Sequence, residues 1–180
     1  MIDESAGARW LDLLATLRGR YRSRQVDLLS DPAALAGFLA EVGLPPRVAP
    51  TAADLDAVRA LREAMHAVLR ADEEGRRPEA GDLALLTDAQ AAFEPFHLAA
   101  GESGPVVESP ATTDVAVALM VTEMLGDLSG PRRPLIRPCG DDSCSGHFLD
   151  VTGRRTWCSS ARCGSRVRVR RHRSRAVEST

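Results

Sequence analysis

The sequence predicts a mainly α N-terminal domain holding one small β-hairpin, followed by a small treble-clef-like module of β-hairpin plus helix. Three observations carry this reading. Apolar residues recur at helical spacing through most of residues 1–130, all four cysteines fall in one short C-terminal stretch, and the charge changes sign between the two regions.

The first helix is marked by Trp10, Leu13, Leu14 and Leu17, which share one face at 3.6 residues per turn. Leu35, Phe38, Leu39 and Val42 mark the second. Asp31 before Pro32 supplies its cap and first-turn proline, and Gly43 with Pro45 and Pro46 ends it. Thr51 with Asp54 reads as a capping box. It opens the longest amphipathic stretch, Leu55, Val58, Leu61, Met65, Val68 and Leu69, which ends near Glu74-Gly75. A further helix is expected from about Asp82 to Phe93, stopped by Pro95. Phe96 to Ser109, with Gly-Glu-Ser-Gly at its centre, reads as a hairpin, and Thr112 to Leu128 as the last helix of the region. Gly130-Pro131 and Pro134 then form a linker.

The chain has 180 residues, 44% of them apolar and 27% charged, the composition of a soluble globular protein. Its longest clean apolar run, Val115 to Val121, is far short of the roughly 20 residues of a membrane span. Met1 to Trp10 lacks the basic start and apolar middle of a secretory signal, so a cytoplasmic location is expected. The formal net charge of -2 conceals an asymmetry: residues 1–130 hold 11 Arg against 21 Asp and Glu, whereas residues 131–180 hold 12 Arg against Asp141, Asp142, Asp150 and Glu178. A stretch this basic suits a polyanion.

The cysteines occur as Cys139-x4-Cys144 and Cys158-x4-Cys163, with thirteen residues between the pairs. Two equal pairs around a short insert match tetrahedral metal ligation, and four thiolates point to one structural zinc per chain. Two disulfides are the alternative, disfavoured in a reducing compartment. His147 is a weaker candidate ligand. Between the pairs, Phe148-Leu149-Asp150-Val151 and Arg154-Arg155-Thr156-Trp157 flank Gly153 and read as a β-hairpin.

From Ser159 or Ser160 to about Arg173 the chain reads as a helix. Cys163, Val167, Arg170 and Ser174 form its inner seam, and Arg162, Ser165, Arg168, Val169, His172 and Arg175 its outer face. Arg166 and Arg173 lie on one flank and Arg171 on the other. The arginines, with Ser165 and His172, are the candidate nucleic-acid contacts. Trp157 reads as cover for the metal module. Near the other end, Arg18, Arg20, Arg22 and Arg24 alternate, most simply as a solvated loop and otherwise as a wall for a small anionic effector. His66 reads as a partly buried, satisfied imidazole on the long helix, and His97 carries no signal.

Cys139-x4-Cys144, Phe148-Leu149-Asp150, Trp157-Cys158-Ser159, Cys163-Gly164-Ser165-Arg166 and Arg170-Arg171-His172-Arg173 resemble the CGNR zinc-finger family, bacterial stress-related transcription regulators. The preceding region is similar to the ABATE domain usually joined to that finger. That resemblance rests on Trp10 to Leu14, Thr16, Arg18, Asp27-Leu28-Leu29, Pro32, Leu35, Leu39 and Gly43-Leu44. Ser165 and Ala15 stand where the family has Asn. The resemblance implies an ABATE-like sensing or dimerising domain over residues 1–130 and a CGNR-like finger over residues 131–180.

Double-stranded DNA is the partner favoured. A helix fits its major groove but not the deep, narrow one of RNA, and seven aromatic residues are too few for a single-strand stacking platform. A small-molecule effector and a homodimer are further expectations. The alternative is an interaction module whose arginines dock an acidic partner such as RNA polymerase, or a structured RNA. No membrane partner is expected. The chain lacks phosphate-loop, dinucleotide, nucleophile-elbow and His-Glu-x-x-His motifs, and four cysteines would close the metal's coordination shell, so no catalysis is expected.

Overall fold

The computed structural model describes residues 5–95, 97–102 and 104–178. The chain divides into two compact units, one of residues 29–126 and the other of residues 5–28 together with 127–178. No helix among the described residues is long and apolar enough to cross a membrane.

The first unit is helical, and the caps read from the sequence start its helices. In α2 (Pro32–Glu41) the Asp31 carboxylate accepts from the Ala34 amide at 2.8 Å, with Pro32 in the first turn where its missing N–H costs nothing. In α3 (Ala52–Glu73) the capping box forms in both directions. The Thr51 hydroxyl accepts from the Asp54 amide at 3.2 Å, and the Asp54 carboxylate accepts from the Thr51 amide at 2.6 Å. Leu55, Val58, Leu61, Met65 and Leu69 are buried along its apolar stripe, each worth roughly 1.5–3 kcal/mol relative to exposure. His66, expected to be partly buried, is buried on the same helix.

Helix α4 (Ala80–Gln90) is shifted toward the N-terminus from its expected span; the Phe93 amide donates to the Gln90 carbonyl in a closing turn. Strands β3 (Leu98–Gly101) and β4 (Gly104–Val107) make the expected antiparallel hairpin, in the register Leu98↔Val107 and Gly101↔Gly104. Phe96 and Ser103, which that expectation included, lie outside the described residues. Helix α5 (Thr113–Ser129) follows, with Val115 to Val121 buried throughout.

The second unit starts with α1 (Arg9–Leu14), whose Trp10 is fully buried. The indole Nε1–H donates to the buried Asp127 carboxylate at 2.8 Å, and Arg132 pairs with the same carboxylate at 3.0 Å. A buried carboxylate thus meets both a neutral and a charged donor, as burial of a charge demands. Asp12, also buried, accepts from the Ala6 amide at 2.6 Å and the Ser5 hydroxyl at 2.9 Å. Thr16 donates its hydroxyl to the Leu13 carbonyl, and its own carbonyl accepts from the Leu28 amide at 2.9 Å. That bond continues the short pairing of β1 (Leu17–Arg18) with β2 (Val26–Asp27). Of the alternating arginines, Arg18 lies in β1 and Arg20, Arg22 and Arg24 in the connection to β2; Arg18, Arg20 and Arg22 are half-buried and Arg24 is exposed, where a solvated loop had been expected.

The hairpin of the cysteine-rich stretch uses a different pair of strands from the expected one. Strand β6 (His147–Leu149) pairs with β5 (Ile136–Pro138), in the register Ile136↔Leu149 and Pro138↔His147, and not with residues 154–157. The reason is local. The Asp150 carboxylate accepts from the amides of Arg154 and Arg155 at 3.2 and 3.3 Å, closing a turn where a second strand would have begun. The Leu149 amide meanwhile donates to the Ala6 carbonyl at 2.7 Å, so the segment before α1 borders β6.

Candidate metal centre and basic helix

The first cysteine pair sits in the loop of this hairpin. The Cys139 amide donates to the Gly146 carbonyl at 2.9 Å, extending the β5–β6 ladder, and the Cys144 amide donates to the Asp141 carbonyl at 2.7 Å in a tight turn. The second pair enters through a wide π-helical turn, Ser160–Gly164, with Ser159 as its cap: the hydroxyl accepts from the Arg162 amide at 3.3 Å. Helix α6 (Ser165–Glu178) follows and runs past the expected end at Arg173.

All four sulfurs lie within 4.8 Å of one another. Cys144 to Cys158, Cys158 to Cys163 and Cys163 to Cys144 each measure 3.6 Å. A tetrahedron with zinc–sulfur bonds of about 2.3 Å has edges of about 3.8 Å, so the cluster has the dimensions of one zinc site. These are free thiols, not disulfides. The donor chemistry agrees. Hydrogen bonds from Cys144, Cys158 and Cys163 pull the Cys139 thiol well below its ordinary range, whereas Cys158 and Cys163, donating to Cys139 and Cys144 and partly buried, are pushed well above theirs. A divalent cation resolves that conflict by stabilising all four thiolates at once. Cys139, Cys144, Cys158 and Cys163 fit one structural zinc, which would fix the finger's fold and leave no open position for chemistry. His147 is buried in β6 and is not part of the cluster.

Three N–H groups point at the sulfurs: Gly146 to Cys144 at 3.3 Å, Cys158 to Cys139 at 3.5 Å, and the Arg166 guanidinium to Cys163 at 3.1 Å. They offset the excess negative charge of four thiolates around one divalent ion. Gly146 was not singled out by sequence, yet a Cβ there would lie 2.8 Å from the Cys158 sulfur and 3.3 Å from that of Cys144. Gly146→Ala is therefore expected to weaken zinc affinity at least about tenfold, a loss comparable to that of other groups supporting a metal site. Competition with a chromogenic chelator measures it, and unchanged affinity would mean that the loop yields freely.

The Cys163-Gly164-Ser165-Arg166 run has a structural reason at each position. Cys163 belongs to the cluster. Gly164 lets the Trp157 ring approach to 3.2 Å from where a Cβ would stand. The Ser165 hydroxyl accepts from Arg168 at 3.0 Å. Arg166 donates its Nε–H to the fully buried Asp141 at 2.6 Å. Asp141 also accepts from Arg170 at 3.3 Å and the Ser143 hydroxyl at 2.7 Å, and has Arg22 at 4.0 Å. Burial alone would raise its carboxyl, but the bonds from Ser143 and Arg166, with the Arg166 charge, hold it at about 2.

The basic residues thus separate into two sets. Val167 is buried on the inner seam, as expected; Arg166, expected on a flank, turns inward, and Arg170 is exposed yet reaches back to Asp141. Arg168, Val169, Arg171, His172, Arg173 and Arg175 are exposed along α6, and Arg168 lies over the half-buried Trp157 ring at 6.0 Å. Ser165 is half-buried, as is Arg162, which lines a cavity with Arg18, Arg22 and Arg24; Arg20 is not part of that lining. Arg155 was read only as part of a strand. It instead donates to the carbonyls of Ser5, Trp157 and Cys158 and covers the Phe148 ring at 4.8 Å. The signal available in sequence was an arginine next to an apolar-ligand run, which does not reveal carbonyls brought from elsewhere.

Comparison with protein families matches residues 7–129 to ABATE, described as "Putative stress-induced transcription regulator", and residues 136–176 to the CGNR zinc finger. No curated protein matches the chain significantly. The matched families are of regulator and zinc-finger type, not enzymes. With more than half its length matched and the four sulfurs gathered into one site, the chain belongs to the ABATE family and carries a CGNR zinc finger.

Proposed function

We propose that this protein is a bacterial, cytoplasmic transcription regulator whose four-cysteine finger lays α6 against double-stranded DNA, with the helical N-terminal region sensing an effector or forming a homodimer. The carrying observation is the division of labour among the arginines. Arg166 and Arg170 tie α6 to Asp141, while Arg168, Arg171, His172, Arg173 and Arg175 are exposed. No acidic residue interrupts residues 165–177. A cationic helix with a fixed base suits phosphates on both sides of a major groove, and its outward residues would face base edges. Arg162 and Ser165, at the start of the basic run, complete the proposed contact set. Exposed Leu98, Val106 and Val107 on β3–β4 are compatible with a second copy docking on the helical region.

Salt titration of duplex binding tests the reading. With four or five arginines each meeting a phosphate, log K against log salt should slope by about -3.6 to -4.5. A flat dependence would remove duplex from consideration. Co-purification with RNA polymerase, or selective binding to structured RNA without duplex binding, would assign α6 to those partners instead.

A further inference from the structure

We infer that the apolar cavity between α3, α4 and α5 binds a small hydrophobic organic cation, of the aryl- or alkylammonium kind. This names a ligand class for the effector-sensing part of the proposed function and rests on that reading for its regulatory meaning; the binding itself does not depend on DNA.

The cavity lies wholly within the first unit and measures about 290 Å³, near the lower end of the roughly 300–1,000 Å³ usual for small-molecule sites. Its apolar wall includes Val58 and Leu61 of α3 and Val117 of α5, all buried, with Leu85 of α4 along one side. Ala57, Ala60, Ala89 and Ala92 complete it. A single methyl at each of these four positions leaves open a space that larger side chains would fill.

The charged side chains lining this space are both carboxylates, Asp88 and Asp114. Both are exposed, and among the described residues neither carboxylate has an ion pair or hydrogen bond. Asp114 sits in the first turn of α5, where a negative charge suits the helix dipole. Asp88 has no such reason. It lies in the last turn of α4, where the terminal carbonyls already carry partial negative charge and no basic residue offsets them. The unit as a whole adds to the bias: residues 29–126 hold 6 Arg against 16 Asp and Glu, and none of those arginines lines the cavity. An ammonium group would therefore meet a helix C-terminus and two carboxylates while its hydrocarbon part fills the alanine-walled space. An anion would be repelled, and a neutral ligand would gain the apolar contact alone.

The test uses full-length, zinc-loaded protein and phenethylamine, protonated at neutral pH, with phenethyl alcohol as its uncharged counterpart, by calorimetry at constant ionic strength. Saturable binding of one phenethylamine per chain is expected, with the alcohol about fivefold weaker or more. Asp88→Asn should weaken phenethylamine about fivefold, the scale of one solvent-exposed ion pair, and leave the alcohol unaltered. Ala60→Leu, at an exposed position on the cavity wall, should abolish binding of both with the circular-dichroism spectrum unchanged. Glu102→Gln, in the turn between β3 and β4 and outside the cavity, should alter neither. No saturation, equal affinity for amine and alcohol, equal weakening by Asp88→Asn and Glu102→Gln, or amine binding that survives Ala60→Leu would overturn the proposal. A dimer that Ala60→Leu dissociates, with no amine bound, would give the space to a second copy and overturn it as well. Phenethylamine bound with the expected signature but without effect on duplex affinity upholds the cation site and removes the effector reading. Absence of duplex binding, with the amine still bound, removes DNA binding alone.

Discussion

Serine in place of Cys158 is expected to strip the zinc from the protein and unfold residues 136–176 as a unit. Cys158 is the corner of the cluster from which both Cys144 and Cys163 lie at 3.6 Å, and its amide donates to the fourth sulfur, that of Cys139. A hydroxyl does not ionise to replace the thiolate. Little else holds this segment: among the described residues, its buried apolar side chains beyond the cysteines are Phe148, Leu149 and Val167. Metal binding contributes about 10–16 kcal/mol in small zinc modules, about twice what three such side chains supply. Elemental analysis should fall from about one zinc per chain to well below that, and the amides of α6 should lose protection from hydrogen exchange. A Cys158→Ser protein that keeps its zinc and its α6 protection would show that three sulfurs suffice and that the tetrahedral reading is wrong.

The second large effect is expected at Asp141. It has no exposed surface and is the common acceptor for Ser143, Arg166 and Arg170. Its carboxyl, held at about 2, is ionised at neutral pH, so Asp141→Ala removes a buried charge that three cations face. Breaking a buried ion pair from one side costs about 3–5 kcal/mol. Because Arg166 and Arg170 keep about a third to a half of their side-chain surface in water, about 2 kcal/mol is the expected loss. Denaturant unfolding followed by far-UV circular dichroism measures it. Asp141→Asn keeps the shape and an acceptor but loses the charge, and should recover less than half. Full recovery by Asn would make the site a matter of shape and hydrogen bonding, with electrostatics secondary.

The two experiments address different layers of the same design. Zinc sets where the chain ends of the finger meet, and Asp141 sets which arginines remain available on its surface. If Asp141→Ala frees Arg166 and Arg170 from the protein, duplex affinity should hold or rise even as stability falls.

Much was legible where the deciding interactions are local. The Thr51–Asp54 capping box, the Asp31–Pro32 start and the Leu55 to Leu69 stripe each depend on residues a turn or two apart, so their chemistry is visible in order along the chain. The cysteine spacing is legible for the same reason: a ligand pair closes a loop only a few residues long, and two such pairs have one economical way to meet. The strand pairing was not. Residues 154–157 were the expected partner for β6, and residues 136–138 carry no strand signal of comparable length; the decision came from Asp150 closing a turn and from the Cys139–Cys144 loop folding β5 back.

The sequence by itself determined the helices, the four zinc ligands and the basic character of the tail, because period, capping and ligand chemistry act over short separations. Tertiary structure alone decided that Trp10 meets Asp127, that Arg155 reaches Ser5, and that Gly146 must yield room to two sulfurs. It also decided which arginines serve the fold and which face solvent. The sequence presents these side chains as equivalent cations; a single buried carboxylate, Asp141, distinguishes them, and only folding brings it within reach.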